Sequence, residues 1–306
     1  MVKKPKICTH EGRKEEYKCG SIPVYKCYSC NLVFTPQRKQ NSNTKKLYKN
    51  FYRNEIPTRF RFSLEYVIKL FRFFRAFKLH TVYKSAKSIL DIGSGRGLTL
   101  YYLKKYHNFK KTVGTQINKR AVTHSRKVLG LKIYDEDLLK INFGRQKFDI
   151  VSMWHVLEHV NEPESYVKKI YSLLEKNGKV IIEVPNYNSW TRSFTGEYWL
   201  GMDIDYHLSF FTPKTLTALL KKYKFKAIST RTFSLEYSTF ISAQSIISKI
   251  TKTDQVFFKW LQTKICNRSI TIHILLFIPI TPICFIINLI YYYSKRGEVL
   301  LIIAEK

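Results

Sequence analysis

The sequence predicts an α/β protein built on a mostly parallel, doubly wound sheet, and three observations support this prediction. From Ser88 onward, short runs rich in β-branched residues alternate with segments of helical hydrophobic period. A glycine-rich turn, DIGSGRG, directly follows the first of these runs. With 306 residues, 45% of them hydrophobic, the chain is also long enough to bury a large core. Repeated strand–helix units are typical of a parallel sheet that helices cover on both faces.

Six strands are predicted in this part of the chain, and helices separate most of them. The strands are SILDIG, KKTVGTQI, LKIYDED, KFDIVSMW, KVIIEVPN and KFKAISTRTFS. The helices include LTLYYLKKY, then NKRAVTHSRKVLG closed by Gly130, and EPESYVKKIYSLLEKNG ending at Asn177-Gly178. A last helix, TPKTLTALLKKY, has Thr212 as its N-cap and Pro213 at its first position.

The N-terminal segment carries cysteines in the pattern of a zinc site. Cys27 and Cys30 form a C-x-x-C pair followed by the strand-like NLVF, which is typical of a zinc knuckle. Because tetrahedral zinc needs four ligands, Cys8 and His10 are the candidates for the other half, with Cys19 as a rival. We expect no secretory signal, since no apolar stretch follows MVKKPKICTH, and zinc is then favoured over a disulfide framework. A reduced, metal-free remnant is the alternative.

The next segment is expected to be a linker followed by a basic amphipathic helix. Residues 37–57 are polar and basic and end at a proline. Residues 58–79 then place apolar side chains at helical spacing, with arginine and lysine between them. The apolar positions are Phe60, Leu64, Val67, Phe71 and Phe74. Two interpretations stay open: the helix packs on the main domain, or it lies on a membrane surface.

The formal net charge of +31 points to acidic partners, which could be nucleic acid, anionic lipid or phosphorylated substrates. An AT-rich genome, which favours Lys, Ile, Asn, Tyr and Phe codons, is an equally good source of this charge. About half of the excess lies in residues 1–90, and such local density is harder to assign to codon usage alone.

The turn after the first strand is the strongest candidate for a ligand site. In a doubly wound sheet, ligands bind beyond the carboxyl ends of the strands, where this turn supplies Asp91, Gly93, Gly95 and Gly97. Glycines allow a sharp turn and a close approach of the backbone to a ligand. The spacing differs from a dinucleotide fingerprint, whose last glycine comes one residue later. An acid before the glycines suits a cationic group of the ligand better than a pyrophosphate.

Three successive motifs, DIGSGRG, FDIVSMWHVLEHV and GKVIIEVPN, resemble those of class I S-adenosylmethionine-dependent methyltransferases. Within that superfamily the chain is similar to the branch that includes the ubiquinone-biosynthesis O-methyltransferases, and residues 8–36 resemble the cysteine-rich segment of some members. The resemblance covers about residues 8–36 and 86–235. It implies S-adenosylmethionine as the cofactor and a Rossmann-like sheet of seven strands, in which GEVLLIIAEK is the antiparallel seventh strand.

The resemblance also implies a set of cofactor-binding residues. These are Asp91, Gly93, Gly95, Gly97, Gln116, Asp137, Leu138 and Trp154. The glycine turn would hold the cofactor, Asp137 and Leu138 would read its adenine ring, and Trp154 would line its methionine end. Gln116 stands where relatives have an acid that binds the two ribose hydroxyls. The amide can accept one hydrogen bond but loses the charge-assisted pair, so we expect a weaker hold on the ribose.

The candidate catalytic residues are His155, Glu158, His159 and His207. Relatives place acid, acid and histidine around a divalent metal at the first three positions; because the first acid is His155 here, a metal is not favoured. Glu158 and His159 could instead cap the loop and orient the substrate. His207 lies in a stretch resembling the substrate lid of the same branch and is the candidate general base, since histidine titrates near neutrality. A structural histidine that fixes the loop is the alternative.

Residues 271–293 are almost purely apolar and long enough to span a bilayer, but they contain Pro279 and Pro282. Both ends of this run must return to one sheet edge, because a single crossing would place the last strand on the wrong side. We therefore expect a hairpin of two short helices, Ile270–Ile278 and Ile283–Tyr293, that dips into the cytoplasmic leaflet. A helical cap buried on the protein or in a dimer, and a true span, are the alternatives. Four basic residues flank the run and could meet anionic headgroups: Lys264, Arg268, Lys295 and Arg296.

These expectations divide the chain into five segments. They are a zinc-ribbon-like segment (1–40), a basic linker and helix (41–85), the methyltransferase core (86–235), a helical insertion (236–295) and the last strand (296–306).

The expected function is S-adenosylmethionine-dependent methylation of a membrane-partitioned or lipid-linked small molecule, on oxygen or alternatively on carbon or nitrogen. The protein is expected to be cytoplasmic, peripheral or monotopic on the inner face of an anionic membrane. An RNA methyltransferase and a non-catalytic binding protein are the alternatives. Nucleic acid is the less favoured partner, since the apolar run has no role on RNA and the sequence has no RNA-stacking motif.

Overall fold

The computed structural model describes residues 8, 10, 12–19, 21–36, 62–263 and 269–306. The predicted linker at 37–57, together with Phe60, Lys264 and Arg268, lies outside these residues. The described strands are β1 (Arg13–Cys19), β2 (Ile22–Cys27), β3 (Val33–Phe34), β4 (Ser88–Ile92), β5 (Lys111–Thr115), β6 (Lys132–Tyr134), β7 (Phe148–Trp154), β8 (Leu174–Pro185), β9 (Ser209–Phe210), β10 (Lys226–Arg231) and β11 (Val299–Glu305).

The described helices carry the labels α1 to α9 in chain order. They are α1 (Phe62–Val82), α2 (Leu98–Tyr106), α3 (Lys119–Lys127), α4 (Pro163–Leu173), α5 (Trp190–Thr195), α6 (Pro213–Lys222), α7 (Ser238–Thr251), α8 (Val256–Thr263) and α9 (Ser269–Tyr293). Short 3-10 turns at Leu157–His159, Gly196–Tyr198 and Leu200–Met202 lie between them.

The main sheet has seven strands in the order β10-β11-β8-β7-β4-β5-β6. Strands β4 to β8 run parallel, whereas β11 is antiparallel to both of its neighbours. The predicted Rossmann-like sheet with an antiparallel last strand is therefore confirmed. The chain leaves β4 in one direction to β5 and β6 and later returns on its other side at β7, which creates a crevice at the carboxyl ends of β4 and β7.

Because helices cover both faces of this sheet, neighbouring residues of one strand enter opposite halves of the core. Leu90 and Val151 pack on the face that α4 and α6 cover. Ile89 and Ile150 pack on the face that α1, α2 and α3 cover. This burial on both sides explains why the strands are continuous apolar runs in the sequence rather than alternating ones.

The N-terminal strands β1, β2 and β3 form a small antiparallel sheet, called the ribbon below, which β9 of the main domain extends as a fourth strand. Val33 pairs with Phe210, and Phe34 pairs with Ser209. An apolar cluster that contains residues of both parts fills the joint. The ribbon and the main domain are thus joined by backbone pairing as well as by packing.

The predicted helix α6 is confirmed with its cap, because the Thr212 side chain accepts a hydrogen bond from the backbone of Thr215 and Pro213 occupies the first turn. One predicted boundary is wrong. The helix expected to reach Asn177-Gly178 ends at Leu173, because Leu174 already pairs with Phe148 in the sheet. Long-range pairing overrides the local helical pattern at this point.

Helix α1 packs on α2 and on the core, as one of the two interpretations expected, but it uses a different face. Val67 and Phe74, which were expected in the packing stripe, are exposed, whereas Ala76 and Leu79 are buried. The expected stripe is therefore wrong for these two positions. The physical reason is that charged side chains on the inward face of α1 form ion pairs with the main domain.

The apolar run forms one continuous helix, α9, so the predicted hairpin of Ile270–Ile278 and Ile283–Tyr293 is wrong. Pro279 and Pro282 both lie inside this helix. Each proline removes one backbone hydrogen bond, at a local cost of about 3 kcal/mol. Packing against α7 at both ends of α9 keeps the helix continuous through this region.

Helices α7 and α9 run antiparallel. This helix pair brings the chain back to the edge of the main sheet, which was the role expected of the hairpin. Near the start of α9, Nε2 of His273 lies 3.3 Å from Oγ1 of Thr251 at the end of α7. Near the end of α9, the Asn288 amide donates to Oγ of Ser242 at 2.8 Å. These contacts hold α9 along the surface of the protein rather than away from it.

Candidate active site

The turn after β4 has the backbone that its glycines were expected to supply. Gly93, Gly95 and Gly97 all have positive φ, at 70°, 56° and 75°. A Cβ atom on Gly93 would come within 2.4 Å of Val156, and one on Gly97 within 2.6 Å of Leu131. Side chains are therefore excluded here on steric and conformational grounds, and the turn keeps its backbone open to a ligand.

Asp91, at the end of β4, is buried and accepts a 2.6 Å hydrogen bond from Oγ of Ser152 on the neighbouring strand β7. Burial raises the pKa of Asp91 to about 6, against the opposing effects of Ser152 and of the nearby Arg75 and Arg72. A buried carboxylate held by one hydroxyl can still accept a bond from a cationic or donor group of a ligand. The cofactor-binding role of Asp91 stays a prediction.

Gln116 follows β5, and its side chain is part of a turn. Its Oε1 accepts a hydrogen bond from the backbone N–H of Asn118 at 2.9 Å. Asn118 in turn caps α3 by accepting from the backbone of Ala121. With its oxygen engaged in this way, the amide of Gln116 has its N–H groups to offer a ribose hydroxyl, where an acid would offer a charged oxygen.

Asp137 and Leu138 lie beyond the end of β6, but both side chains have other partners. The Asp137 carboxylate accepts from the hydroxyl of Tyr166 and from the backbone N–H of Leu139. Leu138 is buried in the core. The proposed contact with the adenine ring is therefore left to the backbone of Leu138 and not to either side chain.

Two arginines of α1 reach the crevice and were not identified as site residues from the sequence. Nη1 of Arg72 donates to both carboxylate oxygens of Glu236 at 2.6 Å, and Nη2 of Arg75 donates to one of them at 2.8 Å. The guanidinium of Arg75 also lies 4.3 Å from the ring centroid of Trp154. Burial opposes ionisation of Glu236, but the two guanidinium groups outweigh it and lower its pKa to about 2. Because the ionised Glu236 offsets one of the two guanidinium groups, a single net positive charge lies near the end of β7.

His155, directly after β7, lies between two buried carboxylates. Its Nδ1 is 3.3 Å from Glu158, and its Nε2 is 3.3 Å from Glu183 on β8. Although burial opposes the charge, these carboxylates raise the pKa of His155 well above its usual value. With a φ of 53°, the residue turns the chain sharply at this point. His155 is thus suited to orienting the carboxylates rather than to accepting a proton.

Glu158, His159 and His207 come together, with one candidate ligand atom from each lying within 4.8 Å of the others. Nδ1 of His159 donates to the carbonyl oxygen of Tyr206 at 3.0 Å, and Nδ1 of His207 donates to that of Gly201 at 2.9 Å. Since a carbonyl only accepts, both rings present a lone pair on Nε2. Burial lowers the pKa of both histidines. His207 and Glu158 were predicted as separate catalytic candidates, and the fold brings them together.

This triad also fits a divalent cation. Glu158 is buried; its Oε1 lies 3.3 Å from Nδ1 of His155, and its Oε2 has no hydrogen-bond partner within the described part of the chain. Each histidine has its second ring nitrogen fixed by a carbonyl, which is the usual support for a metal ligand. Such a cation would polarise an acceptor hydroxyl, but it would also occupy Nε2 of His207, so it is an alternative to His207 acting as a general base. In the structure, the residue that joins Glu158 and His159 in this candidate metal site is His207, whereas His155 was expected from the sequence.

The four predicted zinc ligands Cys8, His10, Cys27 and Cys30 also come together, with their ligand atoms within 4.8 Å of one another. Sγ of Cys8 lies 3.7 Å from Sγ of Cys27 and 3.4 Å from Nδ1 of His10. Three thiols and one imidazole form a donor set that suits tetrahedral zinc. The rival ligand Cys19 is not part of this cluster.

The chain matches the family described as Methyltransferase domain over residues 63–230. It is 29% identical over 181 residues to a ubiquinone biosynthesis O-methyltransferase of Pelagibacter ubique, an alignment that covers 54% of this chain and 71% of that protein. It is 25% identical over 107 residues to the enzyme of the same description from Coxiella burnetii, covering 33% of this chain and 45% of that protein, which is less than half of its length.

The fold is similar to that of a solved structure, a SAM-dependent methyltransferase from Archaeoglobus fulgidus, with a TM-score of 0.51 and 19% identity. This likeness covers 86% of this chain and 99% of that one. With the strand order, the glycine turn and the family match in agreement, the chain belongs to the methyltransferase-domain family and is a class I S-adenosylmethionine-dependent methyltransferase.

Proposed function

We propose that this methyltransferase transfers the methyl group of S-adenosylmethionine to a hydroxyl group of a small molecule that partitions into a membrane. Similarity to O-methyltransferases of ubiquinone biosynthesis supports the acceptor class. The observation that carries the membrane part is the reversed polarity of α9. Its buried positions include His273, Cys284 and Asn288, whereas most of its exposed positions are isoleucine, leucine or phenylalanine.

A helix on a water-facing surface has the opposite arrangement, with apolar residues inward. Residues Ile270–Tyr293 of α9 are long and apolar enough to cross a bilayer, and only 17% of the most apolar window is buried. Because both ends of α9 pack on α7, we propose that the helix lies in the membrane plane, with its exposed face in the cytoplasmic leaflet. Lys295 and Arg296 at its end would meet anionic headgroups.

Helix α1 supports the same placement with a similar reversal. Its inward face carries ion-paired charges, while its outward face is apolar and aromatic. The exposed apolar residues of α1 are Tyr66, Val67, Leu70, Phe73, Phe74 and Phe77. Aromatic side chains of this kind are favoured at the membrane interface.

The proposed chemistry needs a positioned acceptor, a dry site and removal of one proton. S-adenosylmethionine supplies an activated methyl group when it is bound. The guanidinium groups of Arg72 and Arg75 are suited to the carboxylate of its methionine part, and Asp91 is suited to a donor group. His207, neutral because burial lowers its pKa, has a free lone pair on Nε2 and is the proposed general base. The neighbouring Glu158 would stabilise the imidazolium that forms.

We also propose that Cys8, His10, Cys27 and Cys30 hold a structural zinc ion. A closed set of four protein ligands is typical of structural rather than catalytic zinc. Metal analysis of protein purified without chelator tests this directly. About one zinc per chain is expected, and a Cys27→Ser variant with unchanged zinc content would contradict the assignment.

Cofactor binding is tested by calorimetric titration of S-adenosylmethionine into the full chain. Gly95→Arg should abolish binding, because it adds a side chain at a position with positive φ in the turn. Gln116→Glu should tighten binding by about fivefold, since it adds a charge-assisted bond to the ribose. Wild-type protein that is folded but does not bind the cofactor would overturn the catalytic proposal.

Membrane placement is tested by flotation with vesicles of phosphatidylglycerol and phosphatidylcholine. The wild type should float, and the triple variant Ile278→Ser, Ile286→Ser, Ile290→Ser should not, because all three side chains are exposed on α9. Val128→Ser, an exposed apolar residue of the main domain, is the matched control and should float. Equal flotation of wild type and triple variant would contradict the placement, and so would retention of RNA in preference to vesicles.

A further inference from the structure

We propose that the ribbon positions the candidate general base, so that zinc at Cys8, His10, Cys27 and Cys30 controls the order of the loop that carries His207. This inference rests on the zinc site and on the role of His207 proposed above. It adds a function for the N-terminal segment, which contains no residue of the cofactor site.

The physical link is a continuous set of backbone bonds. Strand β3 pairs with β9, which begins two residues after His207. One residue beyond β3, the backbone N–H of Thr35 donates to the carbonyl oxygen of Leu208 at 3.0 Å. Leu208 in turn donates its own N–H to the carbonyl oxygen of Glu158 at 2.7 Å. The ribbon, the histidine loop and the buried glutamate are therefore joined in one hydrogen-bonded chain.

Thr35 makes a second and more direct contact. Its hydroxyl donates to the carbonyl oxygen of His207 at 3.2 Å, and the side chain is only 2% exposed. The imidazole of His207 is fixed from the other side by the carbonyl of Gly201. The ribbon thus holds the backbone of His207 while the main domain holds its ring, and both restraints are needed to aim Nε2.

The zinc ligands lie next to this link. The ring of His10 is 4.9 Å from the ring of Phe34, the residue of β3 that pairs with Ser209. Cys27 ends β2, and its backbone N–H donates to the carbonyl oxygen of Leu32, directly before β3. Loss of the metal would release the turn that places β3, and β9 would lose its only neighbour among the paired strands described.

Thr35 is therefore a positioning residue. The ribbon supports the loop that carries His207 but not the glycine turn of the cofactor site. The turn that contains Gly93 to Gly97 is tied to β5 instead, through the bond from the Ser94 N–H to the carbonyl oxygen of Thr115. Disturbing the ribbon should loosen the His207 loop and leave cofactor binding intact. This separation makes the inference testable without a known acceptor.

The test is hydrogen–deuterium exchange of the full chain, read at residues 203–212 and at residues 88–97, with S-adenosylmethionine affinity measured in parallel. Thr35→Val should speed exchange at 203–212 by about fivefold, the usual effect of one lost hydrogen bond. Zinc removal by a chelator should speed it more. Residues 88–97 and the cofactor affinity should not change.

Three variants make the result specific. Thr35→Ser keeps the hydroxyl and should restore protection at 203–212. Thr195→Val removes a similarly buried hydroxyl that donates to the backbone of Thr191, and it should leave this segment unchanged. Cys27→Ser should reproduce the effect of the chelator.

Two results would overturn the inference, and they can be told apart. If the protein binds zinc, loses it to the chelator and shows unchanged exchange at 203–212, the positioning role is wrong while the zinc site stands. If purified protein contains no zinc, the zinc proposal and this inference fall together. Loss of cofactor binding by Thr35→Val would also contradict it, because the variant would then act on the whole fold.

Discussion

Helices α6 and α9 bury opposite kinds of residue, although both pack on the same domain. In α6, Leu216 and Leu220 are buried, whereas Lys214 and Lys221 are exposed. In α9, His273 and Asn288 are fully buried, and residues such as Ile278 are exposed. The first pattern fits a helix between a core and water. The second fits the placement proposed above, with the helix between a polar protein surface and lipid.

The difference also appears in the contacts behind each helix. Leu216 and Leu220 belong to the main apolar cluster. Behind α9, the Asn288 amide oxygen accepts from Nε1 of Trp190, and its nitrogen donates to Ser242. Because hydrogen bonds hold the inner side of α9, its apolar side chains lie on the outer side, where contact with water is unfavourable. The comparison therefore predicts that an aspartate at an apolar position destabilises the fold strongly in α6 and very little in α9.

The largest effect is expected from Leu216→Asp in α6. This change places an unpaired carboxylate in the core, which should lower the free energy of unfolding by more than about 4 kcal/mol. Urea denaturation followed by circular dichroism measures it. A loss below about 1 kcal/mol would mean that α6 is not part of the core.

The next effect concerns Glu298, which lies between α9 and β11 and is fully buried. Burial raises its pKa to about 7, even though Thr191 and Trp199 donate to it. The folded state then holds this proton at pH values where the unfolded chain has lost it. The contribution of Glu298 to stability should fall as pH rises from about 4.5 to 7, by about 3 kcal/mol in total.

Comparing urea unfolding of the wild type and Glu298→Gln at several pH values isolates this group from the other carboxylates. The difference between the two proteins should grow with pH up to about 7 and then level off. The neighbouring thiol of Cys284 stays neutral over this range, because burial raises its pKa to about 12. A constant difference at all pH values would contradict the assignment.

A smaller effect is expected from Asn288→Leu, which gives α9 the inward leucine that α6 has. Trp190 and Ser242 would each lose a partner, so the free energy of unfolding should fall by about 2 kcal/mol. Ile286→Leu, on the exposed side of α9, is the control and should have almost no effect. An increase in stability on Asn288→Leu would remove the argument for a polar interface.

The smallest effect on stability is expected from Ile278→Asp on the exposed face of α9. Its side chain is 69% exposed, so unfolding in water should change by less than about 0.5 kcal/mol. Flotation with anionic vesicles should nevertheless be lost, since a carboxylate would have to enter the lipid. Retained flotation would place this face in water.

The sequence was sufficient for the parts of the fold that local patterns encode. The central strands β4, β7, β8 and β11 are largely apolar runs, the turn at Gly93 to Gly97 needs positive φ at each glycine, and α6 carries its own cap. The antiparallel β11 followed from the resemblance to class I methyltransferases. Of the site, the glycine turn and the grouping of Cys8, His10, Cys27 and Cys30 were predicted, whereas the approach of His207 to Glu158 was not.

What the sequence did not reveal depends on long-range contacts. Pro279 and Pro282 indicate a break locally, but pairing with α7 keeps α9 continuous. Arg72 and Arg75 resemble the solvent face of an amphipathic helix until Glu236, far along the chain, is placed beside them. The joint between β3 and β9 consists of two-residue strands, which are too short for any readable pattern.

The most direct test of the account is transfer of tritium from methyl-labelled S-adenosylmethionine into vesicles made from total bacterial lipid, with Gly95→Arg as the control. The account predicts label in the organic phase after extraction, none with the control, and a large loss with the Ile278, Ile286 and Ile290 triple variant although that variant still binds the cofactor. Label that appears only in water-soluble products, with or without vesicles, would contradict a methyltransferase that works at a membrane.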